Sequence, residues 1–163
     1  MAKSAVLWSL LLLGCTTAPP SAEKATAPAT DTVSRPSALA SVTAVEVSGE
    51  QGSYIFEVTI ASKETGCDRY ANWWEVIDTE GNLIYRRILQ HSHVNEQPFA
   101  RSGGPVAVEP AQRVIVRAHM EPTGYGTDAM AGTAADGFEP TVLEENFAAA
   151  LAQEQPLPTE CAF

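Results

Sequence analysis

The chain has 163 residues with 10 basic and 20 acidic side chains, a formal net charge of −10. That balance excludes a nucleic-acid binder, which needs a basic surface to displace counterions from phosphates. The length suits one ordinary domain with a core of its own, and apolar residues at 45% with charged residues at 18% are consistent with a globular chain.

Residues 1–14 combine a basic start at Lys3, an apolar run over 5–13 and the ending Leu12-Leu13-Gly14-Cys15. The run is shorter than the roughly 20 residues a helix needs to cross a hydrocarbon core, so it reads as a removable export signal. The Leu-Leu-Gly-Cys ending resembles the cleavage and lipidation box of bacterial lipoproteins. That resemblance implies that Cys15 receives a diacylglyceryl group and becomes the new N-terminus. It would then hold the chain on a bilayer, since each buried CH₂ contributes about 0.8 kcal/mol. Thr16 stands where an aspartate would, by the same resemblance, favour inner-membrane retention, so the outer membrane is the expected destination in a Gram-negative cell. With the leader gone, 9 basic residues face 20 acidic ones.

Residues 15–41 hold Pro19, Pro20, Pro28 and Pro36 among Ala, Thr and Ser and contain no aromatic side chain. Such a segment cannot bury enough apolar surface to offset its ordering entropy, so it is expected to be a disordered tether. All eleven aromatic residues that follow the leader lie at or beyond Tyr54, which places the folded domain at 42–163.

Within that domain the hydrophobic period is two. Tyr54, Phe56, Val58 and Ile60 alternate with Ile55, Glu57 and Thr59, and Val114, Val116, Ala118 and Met120 alternate with Ile115, Arg117 and His119. Both patterns predict strands with one buried and one exposed face. Further strands are expected over 42–47, 73–77, 83–89, 106–108 and 128–133. Asp78-Thr79-Glu80-Gly81-Asn82 supplies a turn, and Gly103-Gly104-Pro105 is expected to break the chain before the 106–108 strand. Short strands at this spacing predict an all-β antiparallel β-sandwich. Their order, with Trp74 facing the core from the third strand, is similar to immunoglobulin-like or fibronectin type III domains.

Thr141 and Glu144 then fit a capping box, and Leu143, Phe147, Ala150 and Leu151 fall on one helical face, which predicts a C-terminal helix over 141–153 ending before Pro156. Packed across the sandwich, it would bring the tail back towards Cys67. Once Cys15 is lipidated, Cys67 and Cys161 remain, and an exported chain with two cysteines reads as carrying one disulfide.

Three groups of side chains are candidates for chemistry. His91 and His93 share one face of an extended strand, and His119 ends the best-defined strand of the domain. If those strands are neighbours, the three imidazoles form a candidate zinc or copper site, three histidines with an open position being a known zinc arrangement. Second, all six bases between Asp68 and His119 are arginines, matched by six acids, while no Lys or Arg follows Arg117. Arg87, Arg101 and Arg117 are therefore candidates for binding a carboxylate or phosphate, with internal ion pairing as the plainer reading. Third, Trp73 is expected outside with Glu75, as a platform for a glycan or a partner protein or else covered by the C-terminal helix. No nucleophile elbow, phosphate-binding glycine loop or cofactor motif is present. Together these features point to a membrane-anchored envelope protein with a non-catalytic binding or structural domain, and metal binding is the alternative.

Overall fold

In the computed structural model, residues 39–162 are described, and the leader, Cys15 and the tether up to residue 38 lie outside them. β1 (Ser41–Glu50) and β2 (Ser53–Ala61) form a hairpin, and β5 (Phe99–Val106) pairs with β2 to complete a three-stranded antiparallel sheet in the order β1-β2-β5. A second antiparallel sheet contains β3 (Tyr70–Ile77), β4 (Leu83–Ile88), β6 (Val114–Glu121), β8 (Asp128–Thr133) and β9 (Gly137–Val142) in the order β4-β3-β6-β8-β9. The two-residue β7 (Gly124–Tyr125) adds to β6. The expected all-β antiparallel sandwich is present.

The main core lies between the sheets. Phe56, Val58, Ile60 and Phe99 come from the first sheet, and Trp74, Val76, Val114, Val116 and Met120 come from the second. Apart from Phe99, which lies outside the expected strands, these are the positions that the alternation assigns inward. Each fully buried aliphatic or aromatic side chain of this size contributes roughly 1.5–3 kcal/mol.

Two expectations fail. Gly103-Gly104-Pro105 does not precede a strand but lies inside β5, because β5 is an edge strand and an edge tolerates a residue without an N–H. Gly103 is needed for close approach, since a Cβ there would meet the Tyr85 hydroxyl at 2.7 Å and Trp74 Cζ2 at 2.8 Å. The helix expected over 141–153 is absent too. Thr141 and Val142 finish β9, paired with Ala129 and Asp128, and the only helical piece among the described residues is a 3-10 turn at Ala149–Gln153. Asn146 at φ 69° and Ala148 at φ 46° interrupt any continuous helix. The segment runs instead as an irregular strap across the outer side of the larger sheet, where Leu151 is buried and Leu143 and Phe147 pack against Ile77, Ile115, Ala129 and Ala131. Gly81, at φ 88° in the turn before β4, lies so close to this strap that a Cβ there would meet the Ala148 Cβ at 2.8 Å. Beyond it the Cys67–Cys161 disulfide joins residues 94 apart in sequence.

Candidate functional site

Register decides which side chains share a face. Glu75 of β3 pairs with Arg86 of β4 and Arg117 of β6, and Trp73 pairs with His119. Cross-strand partners point the same way, so these five residues stand on the outer side of the larger sheet, opposite Trp74, Val76 and Val116. Phase alone places Trp73 and Glu75 there. The strap covers them, and Trp73 is only 3% exposed, so of its two expected placements the outward platform gives way to cover by the C-terminal segment, which is a strap and not a helix.

Beneath the strap the polar groups are closely matched. Arg117 Nε donates to Glu75 Oε1 at 2.8 Å, and Arg86 donates to Glu75 Oε2 from Nη2 at 2.6 Å and Nε at 2.9 Å. The remaining guanidinium hydrogens turn to the strap. Arg117 donates to the carbonyls of Phe147 at 2.5 Å and Ala148 at 3.0 Å; Arg86 donates to those of Leu151 at 2.7 Å, Pro156 at 3.0 Å and Glu154. Two of these carbonyls also accept amides three residues further on, Ala148 from Leu151 at 3.2 Å and Leu151 from Glu154 at 3.0 Å, which is the short-range pattern of a 3-10 turn. The strap is thus a segment whose carbonyl groups are shared between its own backbone and two arginines.

Aromatic rings complete this layer. The Arg86 guanidinium lies 4.6 Å from the Trp73 ring and that of Arg117 3.6 Å from the Tyr125 ring, each a cation–π contact. Trp73 stacks on His119 at 3.8 Å. His119 Nδ1 is 2.7 Å from Asn72 Oδ1, and because that oxygen can only accept, the ring nitrogen is the donor. Burial, followed by the charges of Arg86 and Arg117, pushes the His119 pKa down to about 4. Burial, followed by the charge of Glu75, pushes the Tyr125 hydroxyl up to about 12. At neutral pH the layer therefore holds a neutral imidazole and a neutral phenol around one carboxylate and two guanidinium groups. Arg117, expected as a ligand-binding candidate, is engaged in holding the strap.

The other candidates gather between β4 and β5. His91 is exposed, and its ring lies 4.6 Å from that of His93. His93 is buried and stacked on Phe99 at 3.8 Å, and neither ring nitrogen has a hydrogen-bond partner. Its Nδ1 lies 3.9 Å from Glu64 Oε2. That carboxylate accepts hydrogen bonds from Ser62 Oγ at 2.8 Å, the Ala71 amide at 3.2 Å and the His93 amide. Burial lowers the His93 pKa and Arg101 lowers it further, against the opposing pull of Glu64. Arg101 forms a two-pronged pair with Glu96 at 3.1 and 2.8 Å, and Arg87 is exposed on β4. His91 and His93 thus come together, while His119 has different neighbours, Asn72, Trp73 and Tyr125. Among the described residues, no group of three or more His, Cys, Asp or Glu is arranged to hold a metal ion.

A cleft that no sequence pattern announced opens at one end of the sandwich, where the start of β1, the end of β2, the start of β8 and the end of β9 converge. Its volume is about 650 Å³, and its apolar walls come from Leu39, Val42, Ala61, Pro98, Met130 and Val142. Lys63 and Asp128 stand at its polar margin. Val142 is 76% exposed there, the most solvent-accessible of the large hydrophobic residues. No sequence pattern marks it, since Val142 falls within the stretch 141–153 whose spacing is helical.

No family model and no solved structure matches the chain. A protein of Halomicrobium mukohataei named "Putative lipoprotein" is 35% identical over 105 residues, which is 64% of this chain and 47% of that protein. The chain therefore spans about half the length of the relative it matches.

Proposed function

We propose that the chain is a cell-envelope lipoprotein, anchored through a diacylglyceryl group on Cys15, whose β-sandwich is a non-catalytic binding or structural module carried on a tether that ends before Leu39 and not at 41, because Ala40 is buried in the core and Ser41 opens β1. The observation that carries this reading is the Leu12-Leu13-Gly14-Cys15 box at the end of a short apolar run, and the name of the Halomicrobium relative supports it. Thr16 supports the outer membrane as the destination in a Gram-negative cell. An immunoglobulin-like arrangement is the reading we give the sandwich, supported by Trp74 in the core on β3. An envelope protein or glycan is the expected partner. Cells fed a clickable palmitate analogue should yield labelled protein in the membrane fraction. Cys15→Ser should abolish the label, and a wild-type chain that stays unlabelled would remove the anchor.

A second reading, zinc or copper at His91, His93 and His119, is favoured by one observation, the buried and unpartnered ring nitrogens of His93. It requires His119 to give up Asn72 and its stack on Trp73. Elemental analysis tests it: stoichiometric metal that disappears in the His91→Ala/His93→Ala variant would establish it, and metal-free protein would end it.

A further inference from the structure

The cleft at the β1–β9 end has the dimensions and lining of a small-molecule site. Its volume of about 650 Å³ lies within the roughly 300–1,000 Å³ usual for ligand pockets. Four of its apolar walls come from the sheets, Val42 and Ala61 from the smaller and Met130 and Val142 from the larger, so an occupant would touch both layers. Val142 exposes apolar surface at the mouth, where an apolar occupant would remove it from water. The margin is polar and unequal in charge state. Asp128 is engaged, accepting a hydrogen bond from Ser41 Oγ at 3.2 Å. Lys63 is exposed and has no acidic partner among the described residues, so its ammonium is the group free to meet an anion.

We infer that this cleft binds a free long-chain fatty acid, with the alkyl chain between the sheets and the carboxylate at Lys63. The proposal deepens the reading of the domain as a binding module by naming its ligand class. One chain fits the volume, and a single cation at the margin fits a single carboxylate. The ligand is held non-covalently, so no group transfer is involved.

The test uses the full chain carrying Cys15→Ser, so that no attached acyl group competes, with a fluorescent polyene fatty acid as the probe and palmitic acid as competitor. Saturable one-to-one binding in the micromolar range is expected, and the primary alcohol of the same chain length should bind more weakly. Lys63→Gln should erase the difference between acid and alcohol. Ala61→Trp, which fills the cleft, should weaken binding at least about tenfold. Should Ala61→Trp unfold the domain, Val142→Ser removes apolar surface at the exposed mouth without setting a second carboxylate opposite Asp128, and weaker binding is again expected.

Non-saturating binding overturns the proposal, as does an acid preference that survives Lys63→Gln. Binding that appears only after residues 16–38 are removed also overturns it, assigning the cleft to the protein's own N-terminal segment. Acyl labelling of the wild type is read separately, so failure of the anchor and failure of the fatty-acid site cannot be confused.

Discussion

β3 and β6 bury both of their faces, and the faces differ: the inner one is apolar, while the outer one sets an ionic and aromatic layer beside the apolar patch of Ile77 and Ile115. Towards the smaller sheet, Trp74, Val76, Val114, Val116 and Met120 meet an apolar layer from β2 and β5. Towards the strap, Trp73, Glu75, Arg117 and His119 form an ionic and aromatic layer whose spare donors hold backbone carbonyls. The first face tolerates imprecision, because dispersion and burial are non-directional. The second does not, because each buried charge is stable only while every partner is in place. The strap therefore depends on side-chain geometry in the larger sheet and has little regular hydrogen bonding of its own.

The sharpest way to break this contrast is Glu75→Gln. It leaves two buried guanidinium groups without their shared carboxylate, and destabilisation of roughly 3–5 kcal/mol is expected from urea unfolding. Val116→Ala on the opposite face should cost only about 2 kcal/mol from lost burial and a small cavity. An equal or smaller effect for Glu75→Gln would show that the ionic layer is not what holds the strap. The disulfide gives the next effect. Removing both cysteines with Cys67→Ala/Cys161→Ala frees a tail that closes a 94-residue separation, with an expected loss of roughly 2–5 kcal/mol. Hydrogen exchange should rise first in 143–162 while the β1–β2 hairpin stays protected, and uniform opening of both regions would contradict that division.

The same contrast separates what was legible in the sequence from what was not. The inward phase of β2 and β6 followed from alternation, because one apolar face against one polar face is a local signal. Phase places Trp73, Glu75 and Arg117 on the correct side of the sheet, and it leaves open whether that side meets water or the C-terminal segment. What buries them is a segment about thirty residues beyond Arg117 and more than seventy beyond Trp73 and Glu75. That segment has the helical spacing of Leu143, Phe147 and Leu151, and spacing carries no record of the left-handed backbone at Asn146 and Ala148 that interrupts a helix. The pairing of Cys67 with Cys161 was accessible by counting. The cleft was not, because a cavity is made by the convergence of strand ends and has no periodicity of its own.

A smaller effect sharpens the electrostatic side of the comparison. His119 has a folded-state pKa of about 4 against an ordinary 6.5, so the folded protein binds fewer protons than the unfolded chain between those values. Its contribution is complete above pH 6.5 and is lost as the pH falls through that window to about 4, on the order of 3 kcal/mol in all. His119→Phe keeps a ring on Trp73 but cannot titrate. Its unfolding free energy should change less between pH 7 and pH 4 than that of the wild type, and identical slopes would place the acid sensitivity elsewhere.

The smallest expected effect lies at the exposed pair, where Arg101 meets Glu96 with side chains 28% and 58% exposed. Surface pairs of this kind contribute little to stability, so Arg101→Gln should leave the unfolding midpoint nearly unchanged. The charge of Arg101 nevertheless lowers the pKa of His93, after burial, while Glu64 and Glu96 act in the opposite direction. Removing the guanidinium leaves the two carboxylates unopposed at that ring except by His91, so the His93 titration followed by NMR should move upward. A buried arginine in this protein is thus expected to report through stability and an exposed one through a neighbour's proton affinity. An Arg101→Gln variant that unfolds as readily as Glu75→Gln would erase the difference between the two layers.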